Sequence, residues 1–183
     1  MKKFELTREF ITFLGRKLFR IKALVEFGDV KAGELGGYVE KEENIDHEGD
    51  AWVYGNARVC GDALVYGNAR VCGDAWVYGD ARVSGDARVY GNARVYGNAL
   101  VVKQEDIIFT AAKFGTIFRT TTAYRTTDGV QINCGCFSGN LEEFREQITQ
   151  TREGRMREKY LHHADEIEMY FDLDLEKEEK EWW

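Results

Sequence analysis

Nine six-residue units run without a break from Gly49 to Val102: GDAWVY, GNARVC, GDALVY, GNARVC, GDAWVY, GDARVS, GDARVY, GNARVY and GNALVV. Each opens Gly-Asp or Gly-Asn and continues with Ala, a variable residue, Val and one more. A strict period constrains a fold more than composition can, because every unit takes the same local shape and stacks on its neighbours. Ala and Val stand two positions apart, so on an extended strand they share one side, and the variable residues take the other. Gly tolerates positive φ and Asx bonds its own backbone, which makes the dipeptide a turn. Three hexads, each a strand and a turn, close one triangular coil. The nine units therefore predict three coils, roughly 14 Å tall at about 4.8 Å per rung. Ala and Val fill the prism.

Residues three hexads apart then form columns on three outer walls. The first wall carries Trp52, Arg70 and Arg88 beside Tyr54, Cys72 and Tyr90. The second carries Arg58, Trp76 and Arg94 beside Cys60, Tyr78 and Tyr96, with Trp76 between two guanidinium groups. The third carries Leu64, Arg82 and Leu100 beside Tyr66, Ser84 and Val102. It is the least polar wall, so cover by another subunit or a terminal segment is expected there. In the turn columns Asp mostly alternates with Asn, which keeps carboxylates from stacking. Asp62 and Asp80 break that rule, and a solvated pair outweighs a cation site.

A chain of 183 residues is one compact unit or two small ones. It holds no run of eighteen apolar residues, and its start, MKKFELTREF, lacks the apolar stretch of a secretory signal. The four cysteines read as reduced and cytoplasmic. Cys60 and Cys72 fall on different walls, and Cys134 with Cys136 forms a lone C-x-C without the further ligands a zinc site needs, so no metal is expected. The net charge is −7, and residues 161–183 alone hold nine acids against two lysines. That balance disfavours non-specific binding to a phosphate backbone.

Residues 1–48 read as a β-hairpin and cap. Phe10–Phe13 and Lys17–Phe27 are its strands, with Phe19, Ile21, Ala23 and Val25 on one face. Open solenoid ends expose unpaired backbone groups, so a cap is expected at each. Residues 103–183 read as an α+β domain. Strands are expected at 107–110, 116–121 and 130–137. A helix follows Asn140, with Glu143 completing a capping box, and a second runs from about Arg155 to Phe171. These helices are expected to pack on the small sheet and close the end of the prism. Trp182 and Trp183 would otherwise serve as aromatic anchors for a partner.

The Val-to-Ala spacing, from Val53 to Ala57 and onward, resembles the hexapeptide-repeat, left-handed parallel β-helix family. The segment FGDVKAGELGGYVEKEENIDHEGDAWVYGNARV, residues 27–59, extends the likeness to YdcK-like proteins of bacteria and their phages, which often carry a transferase label. One function the resemblance implies is an acyltransferase. Acyltransferases of the hexapeptide class typically trimerise, hold acyl-CoA in a groove between subunits and use a His as general base. Here the repeat contains no His and no inserted loop, which leaves His47, just ahead of it, while His162 and His163 fall in a helix.

The reading preferred from the residues is non-catalytic: a cytoplasmic, oligomeric interaction or scaffold protein without a cofactor. Its partner would be a protein, and the resemblance to proteins of phages implies one such form, a phage-encoded inhibitor of a host protein. A small anionic ligand is the other candidate, with Arg58, Arg70, Arg88 and Arg94 as anion contacts. Binding is assigned to Trp52, Arg58, Arg70, Trp76, Tyr78, Arg88, Tyr90, Arg94, Tyr96, Trp182 and Trp183. Self-association is assigned to Leu64, Tyr66, Arg82, Leu100 and Val102.

Overall fold

Residues 1–114 and 117–173 are described in a computed structural model, the side chains of 111–119 excepted. The chain divides into two compact units, Met1–Ile107 and Ile108 onward. In the first, each hexad gives a two-residue strand. These run from β4 (Trp52–Val53), β5 (Arg58–Val59) and β6 (Leu64–Val65), through β7 (Arg70–Val71), β8 (Trp76–Val77) and β9 (Arg82–Val83), to β10 (Arg88–Val89), β11 (Arg94–Val95) and β12 (Leu100–Val101). Strands three hexads apart pair in parallel as β4-β7-β10, β5-β8-β11 and β6-β9-β12, the three walls expected from the period. The fifth-position Val of every unit is fully buried and every repeat Ala is at most 2% exposed.

The turns follow from the glycine. The Ala57 N–H donates to the Tyr54 carbonyl, and Gly55 at φ 60 is the first central residue of that turn. Such a turn needs positive φ where only Gly is unstrained. At the equivalent Gly73 a Cβ would also lie 2.9 Å from the Gly91 carbonyl oxygen one rung on.

The solenoid starts earlier than the repeat. The strand β3 (Leu35–Val39) pairs in parallel with β5, Val39 lying against Val59, and Ile45 bridges to Val65. Val39 and Ile45 are buried in the same columns as the repeat valines. The result is a parallel β-solenoid of about four turns, one more than the repeat alone predicts. That first coil is longer than the others, because more chain separates Ile45 from Val53 than separates Val53 from Val59. Its inward positions are aliphatic, but its spacing is uneven and no Gly-Asx stands between Val39 and Ile45, so the period is hidden.

A hairpin of β1 (Phe4–Phe13) and β2 (Arg16–Ala23) turns through Leu14 and Gly15, both at positive φ, and β2 pairs antiparallel with β3. The simple alternation expected in the second strand fails. Leu18, Ile21 and Ala23 are buried while Phe19 is not, because the pairing with β3 shifts register between Arg20 and Lys22. The shift falls at Gly36 and Gly37. A Cβ on Gly36 would meet the Ile21 side chain at 2.5 Å and the Trp52 ring at 2.7 Å.

The second unit holds a sheet in the order β13 (Ile107–Phe114), β14 (Ile117–Thr126), β15 (Gly129–Cys134), β16 (Phe137–Gly139). The single strand expected at 130–137 is two strands, folded back at Gly135 with φ 63. Of the strand expected at 116–121, Thr116 lies outside the described residues. Two helices, α1 (Leu141–Thr151) and α2 (Gly154–Tyr170), pack Leu141, Phe144, Ile148, Tyr160, Ala164 and Ile167 against Val130, Ile132 and Cys134. Asn140 and Glu143 form the expected reciprocal cap at 2.9 Å each way. No helix among the described residues is long and apolar enough to cross a membrane.

Candidate functional site

Along a strand of a parallel sheet, successive residues turn their backbone groups alternately toward the two neighbouring rungs. Arg70 and Trp76, for example, donate to Ala87 and Ala93 on the following rung. The first and last rungs therefore leave their outward-facing backbone groups without a rung to pair with. Buried carbonyls need donors. On the second wall the β3 backbone supplies them, Tyr38 donating to Ala57 and Glu40 to Val59. On the third wall the fully buried Asn44 donates to Gly61 at 3.1 Å and Ala63 at 2.9 Å. On the first wall the buried Lys3 ammonium donates to Gly49 at 3.1 Å and Ala51 at 3.0 Å, and lies 4.7 Å over the Phe27 ring. Burial pushes the Lys3 pKa down, against the opposing pull of Asp46 and Asp50. At the far end acceptors appear instead. The Gln104 side-chain oxygen takes the Arg88 N–H, and Asp106 takes those of Val102 and Lys103. None of these groups stands out in sequence, because a lone Lys or Asn carries no periodic signal.

His47 belongs to this end structure. The Lys3 backbone N–H donates to its Nδ1 at 3.1 Å, so the proton sits on Nε2, which donates to Glu42 at 2.8 Å. Both ring nitrogens are engaged, and a general base needs one lone pair turned to substrate. His47 stands in the longer turn of the first coil, outside the regular repeat. His162 pairs with Glu166 at 3.5 Å, and His163 is buried between Thr110 and Glu166.

The walls sort the expected binding residues. Trp52 is a correction: it is fully buried, covered edge-on by Phe4 and Phe27, because the hairpin and the Gly28 loop fold over that part of the first wall. Trp76 lies between Arg58 at 5.4 Å and Arg94 at 4.6 Å, and Phe13 from the hairpin packs edge-on against it at 4.5 Å. Arg58 also covers Phe13, so much of the second wall is tied up internally. Tyr78 and Tyr96, one rung apart, stack with centroids 4.7 Å apart and planes at 19°. Trp182 and Trp183 lie outside the described residues. Asp62 pairs with Lys41 at 2.7 Å, and no cluster able to hold a metal occurs among the described residues.

Two grooves remain open on the first unit. The one on the first wall, about 810 Å³, is lined by Asp29, Tyr54, Arg70, Cys72, Asp86, Arg88, Tyr90 and Gln104. In it Asp29 joins Arg70 at 2.6 Å and the Tyr54 hydroxyl at 3.0 Å. Arg70 holds the Asp29 carboxyl below its usual range, and burial with the Asp29 contact pushes the Tyr54 phenol up to about 12. Arg88 is exposed and its guanidinium has no partner among the described residues. The other groove, about 710 Å³, runs along the third wall past Glu42, Glu43, Ile45, Asp46, His47, Leu64, Tyr66 and Arg82. Beside it Leu64 and Leu100 are 37% exposed and Val102 is 38% exposed.

The geometry defines the class: a parallel β-solenoid built from hexads of strand and turn, whose outer walls carry its accessible chemistry. Within it, residues 57–102 match the model of the YdcK beta solenoid repeat in five overlapping stretches, 57–73, 63–79, 75–91, 81–95 and 87–102. Over those residues the solenoid is similar to the YdcK β-solenoid. No curated protein matches the chain.

Proposed function

We propose that this protein is a non-catalytic scaffold that self-associates through its third wall. The observation that carries the reading is the exposed row of Leu64, Leu100 and Val102 on a flat parallel sheet. Arg82 sits within the same row without an ion-pair partner among the described residues, and Glu43 and Asp46 line the groove beside it. One wall thus offers an apolar strip with both signs of charge, which a second copy of the same wall complements. The reading includes left-handed winding, as the hexapeptide resemblance implies, and a capping role for the hairpin at the N-terminal end of the coil. The free thiols of Cys60 and Cys72 fit a reducing, cytoplasmic setting. An acyl-CoA-dependent transferase gains no support from His47, whose lone pair is already taken.

Sedimentation of the full chain across micromolar concentrations tests this. Association is expected, lost in Leu100→Asp, weakened in Arg82→Glu and restored when Glu43→Arg is added. A monomer at every concentration overturns the reading.

A further inference from the structure

We propose that the first wall carries a slot for a nucleoside monophosphate, its base between Tyr54 and Tyr90 over Cys72 and its phosphate on Arg88. The argument starts from a comparison of two columns. On the second wall, tyrosines one rung apart fill the column with a direct stack, Tyr78 on Tyr96 at 4.7 Å. On the first wall the corresponding column reads Tyr54, Cys72, Tyr90, so a small thiol interrupts the ladder. The two flanking tyrosines are two rungs apart, about 9.6 Å at a strand spacing of about 4.8 Å. A planar ring placed midway lies about 4.8 Å from each, inside the range of stacked aromatic pairs. The slot opens into the groove described above.

The polar lining selects the ring and its substituent. Tyr54 is fixed by its hydroxyl contact to Asp29, and Arg70 is held on the same carboxylate with its guanidinium 5.9 Å from the Tyr54 ring centroid, so a base stacking there shares the ring's surroundings with that cation. Arg88 on the next rung faces the groove with its guanidinium uncommitted among the described residues, a fork suited to phosphate. Asp29 and Asp86 add carboxylate acceptors, which suit the amino or ring N–H donors of a base and repel a ligand that is anionic throughout. An aromatic ring with donors at one end and phosphate at the other meets all these groups. The site lies on a different wall from the proposed self-association surface and stands without it.

Calorimetric titration of the full chain with AMP, GMP, CMP and UMP, alongside adenosine and inorganic phosphate, tests the assignment. At least one nucleotide is expected to bind at least about tenfold more tightly than adenosine or phosphate. Arg88→Gln should weaken the nucleotide about tenfold while leaving adenosine and the sedimentation profile unchanged. Cys72→Tyr, which continues the ladder as on the second wall, should abolish nucleotide binding and keep cooperative thermal unfolding. If that variant fails to fold, Tyr90→Ala should give the same loss of binding. No nucleotide binding at millimolar concentration, binding no tighter than phosphate, or full binding by Cys72→Tyr overturns the proposal.

Discussion

The Lys3 ammonium donates to the Ala51 carbonyl at 3.0 Å, and so ties the N-terminus to the first rung of the repeat. The contact answers a need set by the backbone. Outward carbonyls of the first rung have no further rung to pair with, and a buried carbonyl without a donor costs about 1–3 kcal/mol. Lys3 and Asn44 supply donors there, and Gln104 and Asp106 accept backbone N–H groups beyond the last rung.

Lys3→Met keeps the stem and removes the donor. We expect a loss of about 2 kcal/mol in urea unfolding, because the Glu48, Gly49 and Ala51 carbonyls lose this donor while the desolvation cost of the ammonium is relieved. Asn44→Leu should cost a similar amount on the third wall. If both variants match the parent, these side chains do not satisfy the rung ends in solution.

Gly36→Ala sets a Cβ against the Ile21 side chain, the Val53 carbonyl oxygen and the Trp52 ring, at an expected cost of about 2–3 kcal/mol. Trp52→Leu should cost about 3 kcal/mol on its own. The two losses should be less than additive when combined, since the smaller side chain removes one of the three clashes. Strict additivity in equilibrium unfolding would contradict the packing described.

The Asp29, Tyr54 and Arg70 cluster predicts opposite pH limbs. The folded Asp29 carboxyl titrates below its unfolded value, so its contribution is present above the usual carboxylate range, near pH 4, and fades as pH falls through the lower folded value. The Tyr54 phenol is raised, so its contribution is present below its unfolded value of about 10 and is lost as pH rises through about 12. Asp29→Asn should blunt the acid limb and bring the Tyr54 titration down. NMR titration of the tyrosine ring signals checks the second point, and an unmoved Tyr54 would refute it.

His47→Ala leaves the Lys3 N–H without its acceptor and removes a ring that lies 4.6 Å from Phe4. A stability loss of about 1–3 kcal/mol is expected, with no change in thermal shift on adding acetyl-CoA. A shift present in the parent and absent from the variant would restore the acyltransferase reading.

Asn140→Ala removes the side-chain acceptor at the start of α1, so the second unit should lose about 1 kcal/mol. Hydrogen exchange should show the loss in α1 and leave the solenoid strands as protected as before. Equal loosening of the rungs would mean that the helix start has effects beyond its own unit.

The hexad determined the solenoid, its pairing of every third unit, its Ala and Val interior and the contents of each wall, because a local geometry repeated nine times leaves no other way to bury those side chains. The Asn140 cap was legible for a similar reason, since both of its partners lie within one turn. Position along the sequence could not say which outer residues stay outside. Trp52 and Trp76 occupy identical slots in identical hexads, yet Trp52 is sealed under Phe4 and Phe27 while Trp76 keeps an arginine on each side. The extra coil through Val39 and Ile45, the register shift at Gly36 and the closing roles of Lys3, Asn44 and His47 were likewise decided by tertiary structure. Each depends on contacts between residues far apart in the chain, whose strength comes from burial and from end-rung backbone groups that need partners rather than from any repeated pattern.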